Sequence, residues 1–309
     1  MAFAGGMVRR GFSSSAARSA IQKVTVIGGG LMGSGIAQVA AQTGHSVTLV
    51  DISEDILKKS AANIEKSLQR VAKKKYQDAT EAEKFLSTTL GNLNMKSDVD
   101  SAVKDCDLVV EAIIENIDIK QKLFKSLDSN APQHTIFASN TSSLFISEIA
   151  KATERKDRFG GLHFFNPVPV MKLVEVVRTP ETSDATNSAL FDFSEKLGKT
   201  PVQAKDTPGF IVNRLLVPYL FEAMKMVERG EATKEDIDVA TKLGLGYPMG
   251  PFTLSDNIGL DTLQSVYDGW HKLYPDKELF EPCETLNKLV AEGKMGQKSG
   301  EGFYNYKKK

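Results

Sequence analysis

Lys23-Val24-Thr25-Val26-Ile27-Gly28-Gly29-Gly30-Leu31-Met32-Gly33 is the stretch on which the fold turns. Five β-favouring residues run into three glycines, and the small-residue segment after them, to Gln42, has the composition of a closely packed helix. Gly44 stops that helix, and Ser46 to Val50 is a second apolar run ending at Asp51. Strand, helix and strand within about thirty residues make a βαβ unit with parallel strands, since a helical crossover returns the chain to the edge it left. Further strands are expected at residues 107–113, 135–139, 159–164 and 173–177, separated by helical stretches. Residues 52–75 read as one long amphipathic helix with Ile56, Ile64, Leu68 and Val71 on its apolar face, the first arm of a helical hairpin inserted into the sheet domain.

The texture changes at Asp206-Thr207-Pro208-Gly209, after which almost everything is helix. Residues 211–228 open that region. Thr233 caps a second helix with Asp236 where Glu or Gln is usual, residues 244–251 form a turn, and helices follow around 260–273 and 283–291. The expected architecture is a doubly wound, Rossmann-type α/β domain over residues 21–206, followed by an all-helical domain over residues 207–309.

Composition narrows the function classes. The chain has 309 residues, enough for two domains, with 39 basic and 39 acidic side chains. That balance argues against a duplex-binding protein. Two cysteines, Cys106 and Cys283, are too few for a disulfide scaffold or a four-cysteine zinc site, and no histidine pair has zinc spacing, so no metal is expected. The most apolar segment, residues 211–227, is interrupted by Asn213, Arg214 and Glu222, so no integral membrane association is expected. Residues 1–20 hold Arg9, Arg10 and Arg18 among four serines, and no acidic residue precedes Asp51. This is the pattern of an organelle transit segment rather than part of the fold.

Gly28, Gly30 and Gly33 fit G-x-G-x-x-G in the context that gives the motif meaning, after a strand and at the start of a helix. The first glycine permits a tight turn, the second lets a pyrophosphate approach the backbone, and the third allows close helix–strand packing. Asp51 ends the second strand, where a carboxylate accepts hydrogen bonds from both ribose hydroxyls and repels a 2′-phosphate, which favours NAD over NADP. Gly198-Lys199-Thr200 ends like a phosphate loop, but Phe193 stands where its first glycine belongs, and the glycosylation-like Asn140-Thr141-Ser142 is likewise set aside.

Of four histidines, His45, His134 and His271 read as surface or packing residues. His163 ends a β-like run and is followed by Phe164-Phe165-Asn166-Pro167. In an open parallel sheet such an end faces the ligand crevice. Glu175 lies twelve residues on, with Pro167 and Pro169 between, so the chain can turn back and set a carboxylate against the imidazole. That pairing suits a general base.

At these positions the chain resembles the L-3-hydroxyacyl-CoA dehydrogenase family of fatty-acid β-oxidation. The likeness is carried by Gly28 to Gly33, Asp51, Ser139-Asn140-Thr141-Ser142-Ser143, the run Gly161-Leu162-His163-Phe164-Phe165-Asn166-Pro167-Val168-Pro169, and Asp206 through Arg214. It spans essentially everything after residue 20. It implies that His163 removes the proton of the substrate 3-hydroxyl with Glu175 as partner, while hydride passes from C3 to NAD. Ser142 and Asn213 would hold the substrate, with Ser142 and Asn166 beside the nicotinamide. Gly28, Gly30, Leu31, Met32, Gly33, Asp51, Glu115, Lys120 and Lys298 would complete the NAD site. Ser67, Lys74 and Ser142 would meet CoA. The resemblance also implies a homodimer joined through the helical domain, and a mitochondrial matrix location.

The residues themselves leave alternatives. Lys73-Lys74-Lys75 closes a helix, where cations suit the dipole and CoA phosphates, yet such runs are commonly solvated faces. Phe210, Leu215 and Met249 are candidate linings of an acyl channel and equally candidates for plain core. A dehydrogenase of a free 3-hydroxy acid or sugar acid, or a non-catalytic NAD-binding scaffold, would share the glycine loop.

Overall fold

The computed structural model describes residues 21–277 and 280–307, so the expected transit segment lies outside the described residues. Eight strands form one sheet: β1 (Lys23–Ile27), β2 (Ser46–Val50), β3 (Leu93–Lys96), β4 (Leu108–Glu111), β5 (Ile136–Ser139), β6 (Phe159–Phe164), β7 (Leu173–Arg178) and β8 (Thr200–Lys205). Their order is β3-β2-β1-β4-β5-β6-β7-β8. All neighbours are parallel except β6 and β7, which are antiparallel. The strands expected at 107–113 and 135–139 are shorter than expected, and β3 and β8 were not expected at all. Both unexpected strands are sheet edges. β3 is only Leu-Asn-Met-Lys, and β8 carries Pro201, which an edge strand tolerates.

Among the described residues seven α-helices accompany the sheet: α1 (Leu31–Gln42), α2 (Glu54–Lys75), α3 (Ala79–Gly91), α4 (Val99–Ala102), α5 (Ile117–Asn130), α6 (Ile146–Ala150) and α7 (Asp184–Lys196). Period-two alternation splits the sheet's side chains between two cores. Val24, Val26 and Leu162 pack with Ile36, Leu68 and Leu190 on one face. Ile27, Phe137 and Phe159 pack with Phe124, Leu127 and Ile149 on the other. Helices on both faces of a mostly parallel sheet make the doubly wound arrangement.

The helix expected from residue 52 begins at Glu54, because the Ser53 side chain accepts the Ile56 N–H and caps it. Its buried face is Leu57, Ser60, Ile64, Leu68 and Ala72. Ile56 is instead drawn over the glycine loop, where a Cβ on Gly29 would meet its Cγ2 at 2.9 Å.

After β8 come α8 (Val212–Glu228), α9 (Lys234–Gly244), α10 (Pro251–Ile258), α11 (Leu260–Leu273) and α12 (Glu284–Ala291). They enclose a third core, including a stacked Phe221–Tyr267 pair 3.9 Å apart. Thr233 caps α9 by accepting the Asp236 N–H, as expected. Asp238 binds the first turn of α10 through the Phe252 and Thr253 N–H groups, and Asp256 binds the tail through those of Phe303 and Tyr304. Among the described residues no helix is long and apolar enough to cross a membrane.

Candidate active site

Antiparallel pairing of β6 with β7 sets His163 directly opposite Glu175. Their side chains meet at 2.6 Å between Nδ1 and Oε2. Glu175 is fully buried, and its other oxygen accepts the Ile211 and Val212 N–H groups at 3.0 and 2.9 Å, at the start of α8. Two backbone donors at the helix N-terminus thus satisfy this oxygen. An ionised Glu175 can only accept, so Nδ1 carries the proton and Nε2 is the basic atom of the ring. Phe165 and Phe210 flank the imidazole, with ring centroids 4.5 and 5.5 Å away.

The turn between the two strands is fastened from the phosphate-loop-like Gly198-Lys199-Thr200 segment. Lys199, almost fully buried, donates to the Met171 carbonyl at 2.7 Å and to that of Val168. Burial, with Lys172 adding repulsion, pulls its ammonium below the usual lysine range. Asn140, set aside with the glycosylation-like pattern, accepts the Phe164 N–H at 2.9 Å and so fixes the end of β6.

His163 opens onto a cleft of about 880 Å³ between the sheet's carboxyl edge and α11. Met32, Glu115, Lys120, Ser142 and Asn166 line it too, so six of the expected site residues come together there. Under the cleft lies a charge network that sequence reasoning missed in part. Glu111, fully buried at the end of β4, accepts Lys120 Nζ at 2.5 Å, the Ile113 N–H at 2.8 Å and the Ser139 hydroxyl at 2.5 Å. Lys120 also faces Glu115 at 3.3 Å. Glu115 then gathers the serine loop, accepting the Ser142 and Ser143 N–H groups at 3.1 and 3.2 Å and the hydroxyls of Ser143 and Thr141. Burial opposes the Glu115 charge, but Lys120 and those hydroxyls outweigh it and hold the carboxyl below its usual range. The available signal for Glu111 was an acid ending a fully apolar strand.

The glycine loop fits a dinucleotide. A Cβ on Gly28 would lie 2.4 Å from the Ala112 carbonyl oxygen, and one on Gly33 only 1.8 Å from that of Gly28, so these two serve turn and packing. Gly30 has nothing within 4 Å of the same position; its missing side chain leaves open room at the N-terminus of α1. No side chain caps that helix and its first turn holds no acid, as an anion site requires. Asp51 is engaged by the Gly29 and Ser53 N–H groups, one on each oxygen, which leaves lone pairs for ribose hydroxyls. Leu31, Ile52 and Ile114 are 73%, 89% and 65% exposed beside the ends of β1, β2 and β4, suited to a flat apolar ring.

Other expected residues stand apart. Asn213 lies in the first turn of α8, next to the residue that binds Glu175, but does not line the cleft. Lys298 is paired with Asp261 at 2.5 Å, and Asp261 is the one that lines it. Ser67 and Lys74 lie two turns apart on α2, outside the cleft, with Lys74 exposed. Of the candidate acyl linings, Phe210 packs against the His163 ring, Leu215 is 71% exposed and Met249 is half-buried. None of these three lines the cleft; Leu144, Phe165, Val266, Trp270 and Leu273 supply its apolar wall. Among the described residues no group of three or more His, Cys, Asp or Glu could hold a metal. Burial raises the Cys106 thiol to about 11 and that of Cys283 to about 12, which makes both poor nucleophiles.

Comparison with known proteins adds the following. Residues 23–207 match the family described as 3-hydroxyacyl-CoA dehydrogenase, NAD binding domain, and residues 209–306 the corresponding C-terminal domain. The hydroxyacyl-coenzyme A dehydrogenase, mitochondrial, of Sus scrofa is 60% identical over 99% of this chain and 100% of its own length. The Homo sapiens protein of the same name has the same identity and coverage. The crystal structure of (S)-3-hydroxybutyryl-CoA dehydrogenase from Ralstonia eutropha superposes with a TM-score of 0.88 at 41% identity, over 94% of this chain and 100% of that one.

Proposed function

The chain belongs to the 3-hydroxyacyl-CoA dehydrogenase family, and from that premise we propose that it oxidises L-3-hydroxyacyl-CoA to 3-oxoacyl-CoA with NAD, His163 acting as general base and Glu175 as its partner. The observation that carries the assignment of the base is the 2.6 Å bond between the two, at a cleft that also receives Met32 of the glycine loop.

Gly28 to Gly33, Asp51, Glu115, Lys120, Asn166 and Lys298 would hold the dinucleotide, which when bound would supply the hydride acceptor for substrate C3. His163 Nε2 takes the hydroxyl proton, and the resulting imidazolium is stabilised by Glu175. Because Glu175 is held by Ile211 and Val212, it orients the ring without taking the proton. Ser142 and Asn213 hold the substrate oxygen end, and Ser67 and Lys74 meet the CoA. Oxidation releases one proton, so alkaline conditions favour 3-oxoacyl-CoA and neutral ones the alcohol.

On this reading the NAD-binding domain would span residues 21–206 and the helical domain residues 207–309. Leu215, Val239, Leu243, Leu245 and Tyr247 leave apolar side chains exposed on the helical domain, which supports a homodimer through that domain. Residues 1–20 would direct import into mitochondria, and specifically the matrix, in keeping with the mitochondrial names of the relatives.

The deciding assay follows NADH absorbance with acetoacetyl-CoA, beside free acetoacetate and with NADPH as control. Decay with the CoA ester and NADH alone is expected. Decay with the free acid would replace the substrate class. Tight NADH binding without decay on either would leave a scaffold.

A further inference from the structure

We propose that Gly269 sets how long an acyl chain the cleft admits, an inference that rests on the acyl-CoA reading above. α11 lines the cleft with Thr262, Ser265, Val266, Gly269 and Leu273, spaced as one helical face, while Leu263 and Tyr267 turn into the helical core. That face changes character along its length. Its first turn is polar, with Asp261 held by Lys298, whereas Val266, Trp270 and Leu273 make its later turns apolar. Gly269 lies eight residues beyond Asp261, about 12 Å along the axis.

The apolar end is the one beside the reacting centre. Trp270 packs so tightly on Gly209 that a Cβ there would sit 2.4 Å from its ring, and the next residue, Phe210, contacts the His163 imidazole. Trp270 is 2% exposed, and its indole N–H has no acceptor among the described residues. A chain attached to a carbon at His163 therefore has this wall on one side and, on the other, the Leu144 and Phe165 side chains that also line the cleft.

Gly269 has no structural reason to be glycine. It does not adopt a positive φ, and a Cβ built on it meets nothing within 4 Å. Inside a helix glycine is less favourable than alanine. What its missing side chain provides is empty room on the cleft side of α11, at the level of the apolar wall.

The test uses the full chain and 3-oxoacyl-CoA esters of four, eight and twelve carbons with NADH, comparing wild type, Gly269→Ala and Gly269→Leu. Gly269→Ala is expected to raise Tm, which shows that the helix accepts a side chain. Gly269→Leu is expected to lower kcat/KM for the twelve-carbon ester by about 10-fold or more relative to the four-carbon ester, with KM for NADH unchanged. An unchanged chain-length ratio in a folded Gly269→Leu protein would overturn the proposal. So would an equal loss at all lengths with a raised KM for NADH, which would give this wall to the cofactor. Wild type inert on every ester would instead remove the acyl-CoA reading itself, and this inference with it.

Discussion

Glu175 in the sheet and Asp256 in the helical domain are both carboxylates withdrawn from water, and each accepts two backbone N–H groups. They differ in what completes the shell. Asp256 accepts the Tyr306 phenol at 2.9 Å, and burial together with that carboxylate pushes the phenol's pKa up, so it remains a donor. The result is a tail pinned to a helix. Glu175 is completed by an imidazole whose other nitrogen serves an open cleft. Burial and hydrogen bonding thus do not by themselves distinguish a structural carboxylate from a functional one; the third partner and the space beyond it do.

The largest expected effect breaks the functional half of that comparison. His163→Gln keeps a polar side chain but no titratable nitrogen, and should lower kcat by about 10²–10⁴-fold with little change in Kd for NADH. Absorbance kinetics and NADH fluorescence titration read the two quantities, and normal turnover would eliminate His163 as the base. Asp256→Asn attacks the structural half. It weakens the hold on the Phe303 and Tyr304 N–H groups, at an expected cost of about 1–3 kcal/mol of stability. Tm should fall while kcat per folded molecule stays the same; a selective loss of kcat would mean that the tail reaches the chemistry.

Glu111 tests whether a carboxylate can belong to both halves. Its bonds to Lys120 and Ser139 support the serine loop from beneath, without contact with the cleft surface. Glu111→Gln retains shape but removes the charge opposite Lys120. If the network positions Ser142 and Glu115 for the cofactor, the cost is about 1–2 kcal/mol of NADH binding, or about 5- to 30-fold in Kd. A lowered Tm with unchanged Kd would return Glu111 to the purely structural class.

What the chain discloses about itself follows from how local each signal is. The glycine loop, β1, β2 and the His163 strand are written in consecutive residues, and the turn back to Glu175 is signalled by Pro167 and Pro169. β3 and β8 escaped because edge strands need little apolar content and tolerate Pro201. The Glu111–Lys120 pair escaped because it joins a strand end to a helix across a loop, which no periodicity encodes. Which helix lines the cleft was not legible for a similar reason: Leu215 and Met249 are as apolar as Val266 and Leu273, but the docking of the helical domain decides that α11 faces it.

The smallest expected effect concerns the histidine that resembles His163 in burial and not in partner. His45 is 4% exposed, packs edge-on against Phe193 at 5.2 Å, and lies 3.2 Å from the Ala40 carbonyl, with no carboxylate bonded to its ring among the described residues. Burial lowers its pKa from the ordinary 6.5; the Ala40 carbonyl opposes that shift and Lys196 reinforces it. Below about pH 6.5 the unfolded chain therefore binds a proton that the folded chain resists, and folding stability falls as pH drops through this range. His45→Gln keeps a polar side chain without the titration. Its stability should decline less than that of wild type between about pH 8 and about pH 5, while NADH turnover is unaffected. Parallel Tm curves for the two proteins would mean that His45 charges as readily folded as unfolded, leaving no difference of environment for the comparison with His163 to rest on.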